Sequence, residues 1–359
     1  MDVSQINQPL PITPLIRGHI DVFEPAAGNQ ARLRGWVFRP DTAIERVEVG
    51  LGGHPWVSPF PLQERPDVQA AYENSLGPLP HLLSSGFDIA APLPPEISAN
   101  SNPIITLTPY DSKGERLDPL HTYFFDLQTE LARSPQPPLD LQERVGGSKD
   151  FLHVAAQLAN LLLTCIGKYR PLWEPGDILD WGCGCGRVIN QLMKLIVPGR
   201  IHGCDIDVAA IKWDQAHLSG PTFSRIDPYP PTSYPDGKFD VIYGISVMTH
   251  LDEEAQLVWL AELQRIARPG AILALSVIGE ELRKTNMPAE LSAEYDAKGF
   301  ATFVPNYSEM LAPFSHQGYY KETYHSLDYI RETWGKFFEV LECVETKHQD
   351  IILLRRIER

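Results

Sequence analysis

The residues best placed to bind a ligand lie in one short stretch near the middle of the chain. Residues 178–188 read ILDWGCGCGRV, a short apolar strand followed by a turn with glycine at every second position. Because glycine has no Cβ atom, Gly182, Gly184 and Gly186 let the turn be tight and let a ligand lie against the main chain. Asp180, just before the turn, would repel a pyrophosphate but suits a ligand that carries an amino group and a positively charged sulfur.

The spacing of these glycines is GxGxG, which differs from the GxGxxG of nicotinamide and flavin binders. Downstream, residues 199–207 (GRIHGCDID) predict a second strand that ends in acid. Asp205 lies 19 residues after Gly186, close to the roughly 20-residue offset at which a doubly wound fold places a carboxylate on ribose hydroxyls. Asp207 stands just before the run VAAI and is predicted to be the N-cap of the next helix.

Four segments, in this order, resemble the class I S-adenosylmethionine-dependent methyltransferases: ILDWGCGCGR, HGCDID, FDVIYGISVMTHL and the RPG at residues 268–270. The resemblance covers about residues 144–356. It implies an α/β fold, with a Rossmann-like doubly wound sheet that ends in an antiparallel C-terminal hairpin, and S-adenosylmethionine as the cofactor. The alternative is that the glycines only form a strand-to-helix turn in some other α/β domain.

The same resemblance implies cofactor-binding roles for nine positions. The acid and glycines of the first motif surround the methionine and ribose ends of the cofactor, and the acid ending the second strand holds the ribose hydroxyls. A third strand is indicated only weakly, around residues 222–226, and an acid after it meets the adenine amino group. An arginine of the entry segment meets the methionine carboxylate, unless it is a solvated linker arginine. The nine residues are Asp180, Gly182, Gly184, Gly186, Asp205, Ile206, Asp227, Ser246 and Arg144.

Candidates for catalysis follow the fourth predicted strand, FDVIYGI, because doubly wound sheets place ligands at the carboxyl ends of their strands. Ser246, Thr249 and His250 are expected there. Methyl transfer from a sulfonium depends mostly on positioning, but a hydroxyl acceptor must also lose its proton. Histidine titrates near neutral pH and suits this task. His250 is the first candidate for the base, with helix capping or loop ordering as the alternative, and His325 is the second.

Residues 278–326 show no clear periodic element and are rich in aromatic side chains. Loops of this length inside a compact domain are usually functional or disordered, and the aromatic density favours a substrate lid. One histidine of this segment, His316, is a third candidate for the base. The predicted lid residues are Tyr295, Tyr307, His316, Tyr319 and Tyr320.

The first part of the chain predicts a small all-β sandwich, because short apolar or alternating runs are separated by Gly, Pro, Asn and Asp. It resembles accessory β-domains of some bacterial glycosyltransferases and methyltransferases. Trp36, Trp56 and Tyr72 could form a sugar-stacking surface, or else belong to the core or to an interface between copies of the chain. The predicted boundaries are a leader at 1–13, a β-sandwich accessory domain at 14–127, a linker at 128–149 and a methyltransferase domain at 150–359.

Composition argues against several classes of partner and location. The formal net charge of −15 argues against nucleic acid as a partner, since phosphate binding needs clustered Lys and Arg. The start of the chain carries no secretion signal, and the longest apolar run is too short to span a bilayer, so membrane insertion is not expected. Five cysteines, an odd number, indicate a reducing compartment such as the cytoplasm. Cys183 and Cys185 lack a second ligand pair at a zinc-like spacing, so no metal is predicted.

Together these features predict a cytoplasmic, S-adenosylmethionine-dependent methyltransferase acting on a hydroxyl of a small molecule or a sugar unit. The sugar preference depends on analogy of the β-domain alone. One alternative is N- or carboxyl-methylation of a peptide-derived natural product. Another is a non-catalytic protein whose sandwich binds a glycan or partner while the methyltransferase domain senses cofactor. Homo-oligomerisation through the sandwich is possible.

Overall fold

The computed structural model describes residues 10–26, 29–98, 101–146, 150–305, 319–346 and 349–358. Two predicted lid residues, Tyr307 and His316, therefore lie outside the described residues. The described chain contains two four-stranded antiparallel sheets in its first part and one eight-stranded sheet in its second part. This arrangement confirms the predicted fold class, an all-β sandwich followed by an α/β domain.

The first part of the chain is built from short strands in which buried and exposed residues alternate. In the segment Arg46–Leu51, Val47, Val49 and Leu51 are buried, as a half-buried strand requires. They pack against Ile20, Leu33 and Leu107, among others, in one apolar core between the two sheets. The strands here are β1 (Ile12–Pro14), β2 (Arg17–Ala26), β3 (Gln30–Phe38), β4 (Arg46–Leu51), β5 (His54–Pro61), β6 (Gln63–Glu64), β7 (Ser84–Pro92), β8 (Ile105–Tyr110) and β9 (Leu120–Thr122).

The sandwich sheets have the orders β2-β3-β7-β6 and β5-β4-β8-β9, with helix α1 (Pro66–Leu76) inserted between β6 and β7. Two members of the predicted sugar-stacking surface pack together at this helix. The rings of Trp36 and Tyr72 lie 5.5 Å apart, and Phe38 contacts both. Trp56 donates a hydrogen bond from its ring nitrogen to the carbonyl of Pro92. Trp36 and Tyr72 therefore stabilise the docking of α1.

Strand β1 corrects the end of the predicted leader at residues 1–13, whose first nine residues lie outside the described part of the chain. It pairs in parallel with residues 343–345 of the second sheet, and the amide of Cys343 donates to the carbonyl of Pro11 at 2.9 Å. A three-residue edge strand leaves no periodic pattern in the sequence, and its partner lies about 330 residues away. The start of the described chain therefore belongs to the second sheet, not to a loose segment.

The predicted linker at 128–149 is also corrected, because it contains two short helices, α2 (Leu127–Arg133) and α3 (Leu139–Arg144). The Asp126 side chain accepts a hydrogen bond from the amide of Thr129 and so caps α2. The prolines that suggested a linker lie between the two helices. Lys194 and Glu130 form an ion pair that ties α2 to the second domain.

The second part alternates strands and helices around one twisted sheet. Its strands are β10 (Ile178–Trp181), β11 (Ile201–Asp205), β12 (Thr222–Arg225), β13 (Phe239–Gly244), β14 (Ala267–Ile278), β15 (Phe300–Phe303), β16 (Glu322–His325), β17 (Glu339–Glu345) and β18 (Gln349–Arg355). Its helices are α4 (Phe151–Gly167), α5 (Ile189–Leu192), α6 (Val208–His217), α7 (Glu253–Ile266), α8 (Glu280–Asn286), α9 (Ser292–Lys298) and α10 (Leu327–Thr333). Single 3₁₀ turns occur at Pro80–Leu82, Pro198–Arg200, Met248–His250, Ala289–Leu291 and Trp334–Lys336.

The sheet order is β1-β17-β18-β14-β13-β10-β11-β12. Strands β10 to β14 are parallel, whereas β18 is antiparallel to both β14 and β17. All six residues of β13 are buried, since helices cover both faces of the sheet. Ile178 and Val241 face one apolar core, and Leu179 and Ile242 face the other. The predicted C-terminal hairpin is present, with β1 added at its outer edge.

Residues 278–326 contain more regular structure than the sequence indicated. Helices α8 and α9 occupy 280–298, and β15 pairs with β16 as a separate two-stranded sheet. These elements are only four to seven residues long, which is too short for a periodic pattern to be recognised. Helix α10 begins after Ser326, whose hydroxyl accepts from the amide of Tyr329 and so caps the helix.

Candidate active site

A cavity of about 420 Å³ opens at the carboxyl ends of β10, β11 and β13. This is within the roughly 300–1,000 Å³ typical of small-molecule sites, and the edge of the sheet is the one where doubly wound folds bind ligands. The glycine turn forms its floor. Residues from α3, the 3₁₀ turn at Met248–His250 and the beginning of β18 form its walls.

The glycine turn has the backbone that only glycine adopts without strain. The φ angles of Gly182, Gly184 and Gly186 are 78°, 54° and 64°. A Cβ on Gly184 would also lie 2.4 Å from Cγ1 of Val145, and one on Gly182 would lie 2.4 Å from Cγ2 of Val247. The turn therefore requires glycine both for its conformation and for its close packing.

Asp205 holds this turn in place from the end of β11. One carboxylate oxygen accepts from the amide of Gly184 at 2.7 Å, and the other accepts from the amide of Asp207 at 2.8 Å. A carboxylate has about four acceptor positions, so each oxygen retains one for a further donor. Asp205 lines the cavity and can therefore also accept from ligand hydroxyls. Asp207 caps α6, as predicted, by accepting from the amides of Ala209 and Ala210.

Two further carboxyl groups beside the turn are buried. Burial raises the pKa of Asp180 to about 8, and it raises the pKa of Asp214 to about 9. Asp180 lines the cavity, whereas Asp214 lies behind the turn, close to Gly186. Both are protonated at neutral pH in the structure as it stands. A ligand with positive charge next to Asp180 would favour the ionised form of that carboxyl.

Two arginines lie at the cavity. Arg144 is held by Asp207 at 2.8 Å and by Asp140 at 3.1 Å, so its guanidinium is oriented by two carboxylates at the cavity wall. Arg187, directly after the third glycine, also lines the cavity, and burial lowers its pKa. Arg187 was not among the predicted site residues, although a cation immediately following a glycine turn was a usable signal.

His250 is oriented by a main-chain carbonyl. Its Nδ1 lies 3.0 Å from the carbonyl oxygen of Lys321, and the amide of Lys321 donates to the His250 carbonyl at 3.0 Å. Because a carbonyl can only accept, Nδ1 carries the proton, and in the neutral ring Nε2 holds a lone pair. Burial lowers the pKa of His250, which favours this neutral form. His250 lines the cavity, so it is positioned to accept a proton there.

His325, the second predicted base, lies elsewhere. It is buried in β16 outside the residues that line the cavity, and its Nε2 pairs with Oε1 of Gln256 at 3.0 Å. Its ring contacts Trp334, and burial lowers its pKa to about 3. The sequence placed His325 near a loop, but β16 turns the side chain into the core. Its surroundings therefore suit a packing role and not a catalytic base.

The predicted lid residues are not grouped together. Tyr319 and Tyr320 line the cavity, and the Tyr319 hydroxyl donates to the carbonyl of Pro228 at 2.6 Å. Tyr295 is instead buried outside the cavity lining, with the Arg283 guanidinium 4.4 Å from its ring. The lid prediction therefore places Tyr295 wrongly, because no pattern in the sequence indicated the short helix α9 in which it is buried.

Near the predicted adenine end, Ile206 and Ile226 line the cavity. Asp227 does not line it, and its side chain is 69% exposed and paired with Arg225 at 2.8 Å. The structure therefore gives no support to an adenine contact by Asp227. Ser246 lines the cavity as predicted, next to Gln349, which the sequence analysis did not single out.

Comparison with known families identifies this part of the molecule. Residues 179–273 match the family model described as a methyltransferase domain. The chain carries a class I S-adenosylmethionine-dependent methyltransferase domain. The match begins within β10 and ends within β14, so it contains the glycine turn, Asp205 and His250. It confirms the predicted family, and with it the cofactor class.

Individual relatives are distant. A 2-methyl-6-phytyl-1,4-hydroquinone methyltransferase from Synechocystis sp. is 27% identical over 163 residues, which are 44% of this chain and 47% of the relative. The chain thus spans about half the length of this curated relative. A solved magnesium protoporphyrin IX methyltransferase from Synechocystis, with bound SAH, is 17% identical, with 60% of this chain and 93% of that chain covered and a TM-score of 0.39. A methyltransferase from Mesorhizobium loti is 12% identical, with coverages of 54% and 96% and the same TM-score.

Two features are absent from the residues that the structure describes. None of their helices is both long enough and apolar enough to cross a membrane. No group of three or more His, Cys, Asp or Glu side chains among them is arranged to hold a metal ion. The five cysteines are all unpaired and buried.

Proposed function

We propose that the protein transfers a methyl group from S-adenosylmethionine to a hydroxyl of a small molecule or a sugar unit. The observation that carries the proposal is His250, a neutral histidine that lines the cavity with its Nδ1 proton held by the Lys321 carbonyl. An acceptor atom that carries no proton, such as the sulfur of a thioether, would need no such base. A hydroxyl does need one.

The cavity suits the cofactor by shape and by charge. The glycine turn offers main chain without side chains, and Asp205 retains acceptor positions for ribose hydroxyls. Asp180, in β10 just before the turn, suits a positively charged methionine end. Arg144 and Arg187 lie nearby as partners for a carboxylate. When bound, S-adenosylmethionine supplies an electrophilic methyl group on a positive sulfur.

His250 then acts on the acceptor. Nε2 would accept the proton of the acceptor hydroxyl as the oxygen takes up the methyl group. The carbon–sulfur bond would break, and its electron pair would stay with the neutral sulfur that leaves. The Lys321 carbonyl keeps the ring in the reactive orientation and stabilises the imidazolium that forms, since its hydrogen bond to Nδ1–H strengthens with positive charge. Tyr319 and Tyr320 cover the cavity from the side of β16 and exclude water from the reaction.

The small-molecule preference has separate support. The hydroquinone methyltransferase relative acts, by its name, on a small molecule, and the cavity volume suits such an acceptor. The sugar alternative depends on the accessory sandwich, in which Trp36 and Tyr72 are used in packing. The five unpaired thiols support the cytoplasm as the proposed location. Contacts between sandwiches in a homo-oligomer stay a prediction.

The experiment uses methyl-labelled S-adenosylmethionine with an extract of the source cells, separated by size into small molecules, glycans and proteins. We expect label in the small-molecule or glycan fraction, in a form stable to mild alkali, as an ether is. Label released by alkali would indicate a carboxyl ester and favour the peptide-derived natural product alternative. No label in any fraction, with S-adenosylhomocysteine bound by the protein, would favour the cofactor sensor.

A further inference from the structure

One residue at the cavity has a backbone conformation that its side chain disfavours. Among the described residues, Asn29 and Ser246 are the non-glycine residues with positive φ, and Ser246 has φ 59°. Asparagine adopts this region readily, whereas serine does so rarely. Ser246 lies two residues after the end of β13, within the cavity wall. Strained residues of this kind persist when their surroundings hold them, and they concentrate at functional sites.

The hydrogen bonds that hold Ser246 converge on the side-chain amide of Gln349. The Ser246 amide donates to Oγ of Ser276 at 2.7 Å, and the Ser276 hydroxyl donates to Oε1 of Gln349 at 2.7 Å. The Ser246 hydroxyl also donates to Oε1 of Gln349, at 3.0 Å. Three strands that are distant in sequence, β13, β14 and β18, therefore contribute to one network.

This network determines which way the Gln349 amide faces. Ser276 is completely buried and uses Oγ to accept from the Ser246 amide, so its own proton needs an acceptor. The Oε1 atom of Gln349 is that acceptor, and the amide nitrogen must point away from both serines. Within the described part of the chain the nitrogen has no protein partner, and Gln349 lines the cavity. The main chain of Gln349 is also fixed, because the Thr346 hydroxyl donates to its carbonyl at 2.8 Å.

The position of the amide along the sheet assigns it to the acceptor and not to the cofactor. Asp205 and Ile206 lie on the β11 side of the glycine turn. Gln349 pairs with Ile278 at the end of β14, on the opposite side, beyond β13. It is hydrogen-bonded to Ser246, four residues before His250. The amide therefore lies on the side of the cavity where His250 would meet an acceptor.

We propose that Gln349 is a substrate-specificity residue whose amide N–H donates to a carbonyl or carboxylate oxygen of the acceptor, beside the hydroxyl that is methylated. Ser246 and Ser276 are positioning residues that hold the amide. The acceptor class is then a hydroxyl compound with a neighbouring carbonyl-type oxygen. This inference rests on the proposed function, because it assumes that the hydroxyl approaches His250.

The test measures binding to the full chain saturated with S-adenosylhomocysteine, by calorimetric titration with two probes. Salicylamide carries a carbonyl beside its hydroxyl, and o-cresol carries a methyl group there. We expect the wild type to bind salicylamide about five- to tenfold more tightly than o-cresol, as one hydrogen bond would provide. Gln349→Met keeps the length of the side chain and removes the N–H, so the ratio should fall to within about twofold. Its affinities for o-cresol and S-adenosylhomocysteine should be unchanged.

Ser246→Ala is the second variant, used if Gln349→Met does not fold. It removes one of the two bonds to Oε1 and should reduce the ratio about two- to threefold. A wild type without preference for salicylamide, including one that binds neither probe, would overturn the proposal. So would an equal loss of both affinities in Gln349→Met. Failure to bind S-adenosylhomocysteine would instead contradict the proposed function, so the two failures can be told apart.

Discussion

We expect Asp180 to make cofactor binding dependent on pH. In the structure its carboxyl is buried beside the glycine turn, and burial raises its pKa to about 8. At pH 7 most molecules therefore carry a proton on Asp180. A positively charged cofactor next to it favours the ionised form, so binding should release that proton. We expect about one proton to be released per cofactor bound at pH 7.

The affinity follows from the same linkage. Below pH 8 the proton must be removed before the charged pair can form, which weakens binding up to about tenfold for each pH unit. S-adenosylmethionine should therefore bind about 10- to 100-fold more tightly at pH 8 than at pH 6. S-adenosylhomocysteine lacks the positive sulfur but keeps the amino group, so its affinity should change less over the same range. The direction is fixed, since a raised carboxyl pKa in the free protein always opposes cation binding at low pH.

The assay is calorimetric titration at pH 7 in two buffers of different ionisation enthalpy, which counts released protons. Asp180→Asn removes the titrating group and should reduce the release to near zero. Asp214→Asn is the matched control, because Asp214 also has a raised pKa but lies behind the turn, away from the cavity. Asp214→Asn should release as many protons on cofactor binding as the wild type does. Equal proton release in the wild type and Asp180→Asn would refute the reasoning.

Three further predictions concern single side chains. His250→Gln should lower the rate of methyl transfer to the acceptor by about 100-fold or more. Its affinity for S-adenosylmethionine should stay within about twofold of the wild type. An unchanged rate would exclude His250 as the base. Asp214→Asn should raise the free energy of unfolding more at pH 8 than at pH 5 in urea titrations, because a pKa raised to about 9 makes the native state lose stability as pH rises from about 4 to 9. If the gain in the free energy of unfolding does not increase with pH, this prediction is wrong. Ser326→Ala should cost about 1 kcal/mol in the same titration at pH 7, since it removes the cap of α10, and no measurable loss would show the cap to be dispensable.

The features that the sequence predicted well are local. The glycine turn, Asp205 at its characteristic offset and the Asp207 cap each depend on residues close together in the chain. Their spacing constrains the backbone directly, so the strands, the turn and the family could be recognised without a structure. The alternating pattern of β4 predicted a half-buried strand for the same reason.

The features that could not be predicted from the sequence depend on contacts between segments that are far apart in the chain. Strand β1 has three residues and is defined only by its partner β17. His250 and His325 have similar local surroundings in the sequence, and only the sheet and β16 separate a cavity histidine from a core histidine. The Gln349 network joins residues about 30 and 100 positions apart. No periodicity or spacing within one segment encodes such contacts.

The most direct test of the central claim, that the cavity above the glycine turn holds the cofactor, is a titration of S-adenosylmethionine into three forms of the full chain. The wild type should bind one equivalent. Asp205→Ala should weaken binding at least about tenfold, because it removes the ribose acceptor and the bond that holds the turn. Asp227→Ala changes an exposed carboxylate outside the cavity lining and should stay within about twofold. No binding to the wild type, or an equal loss in the two variants, would contradict the account.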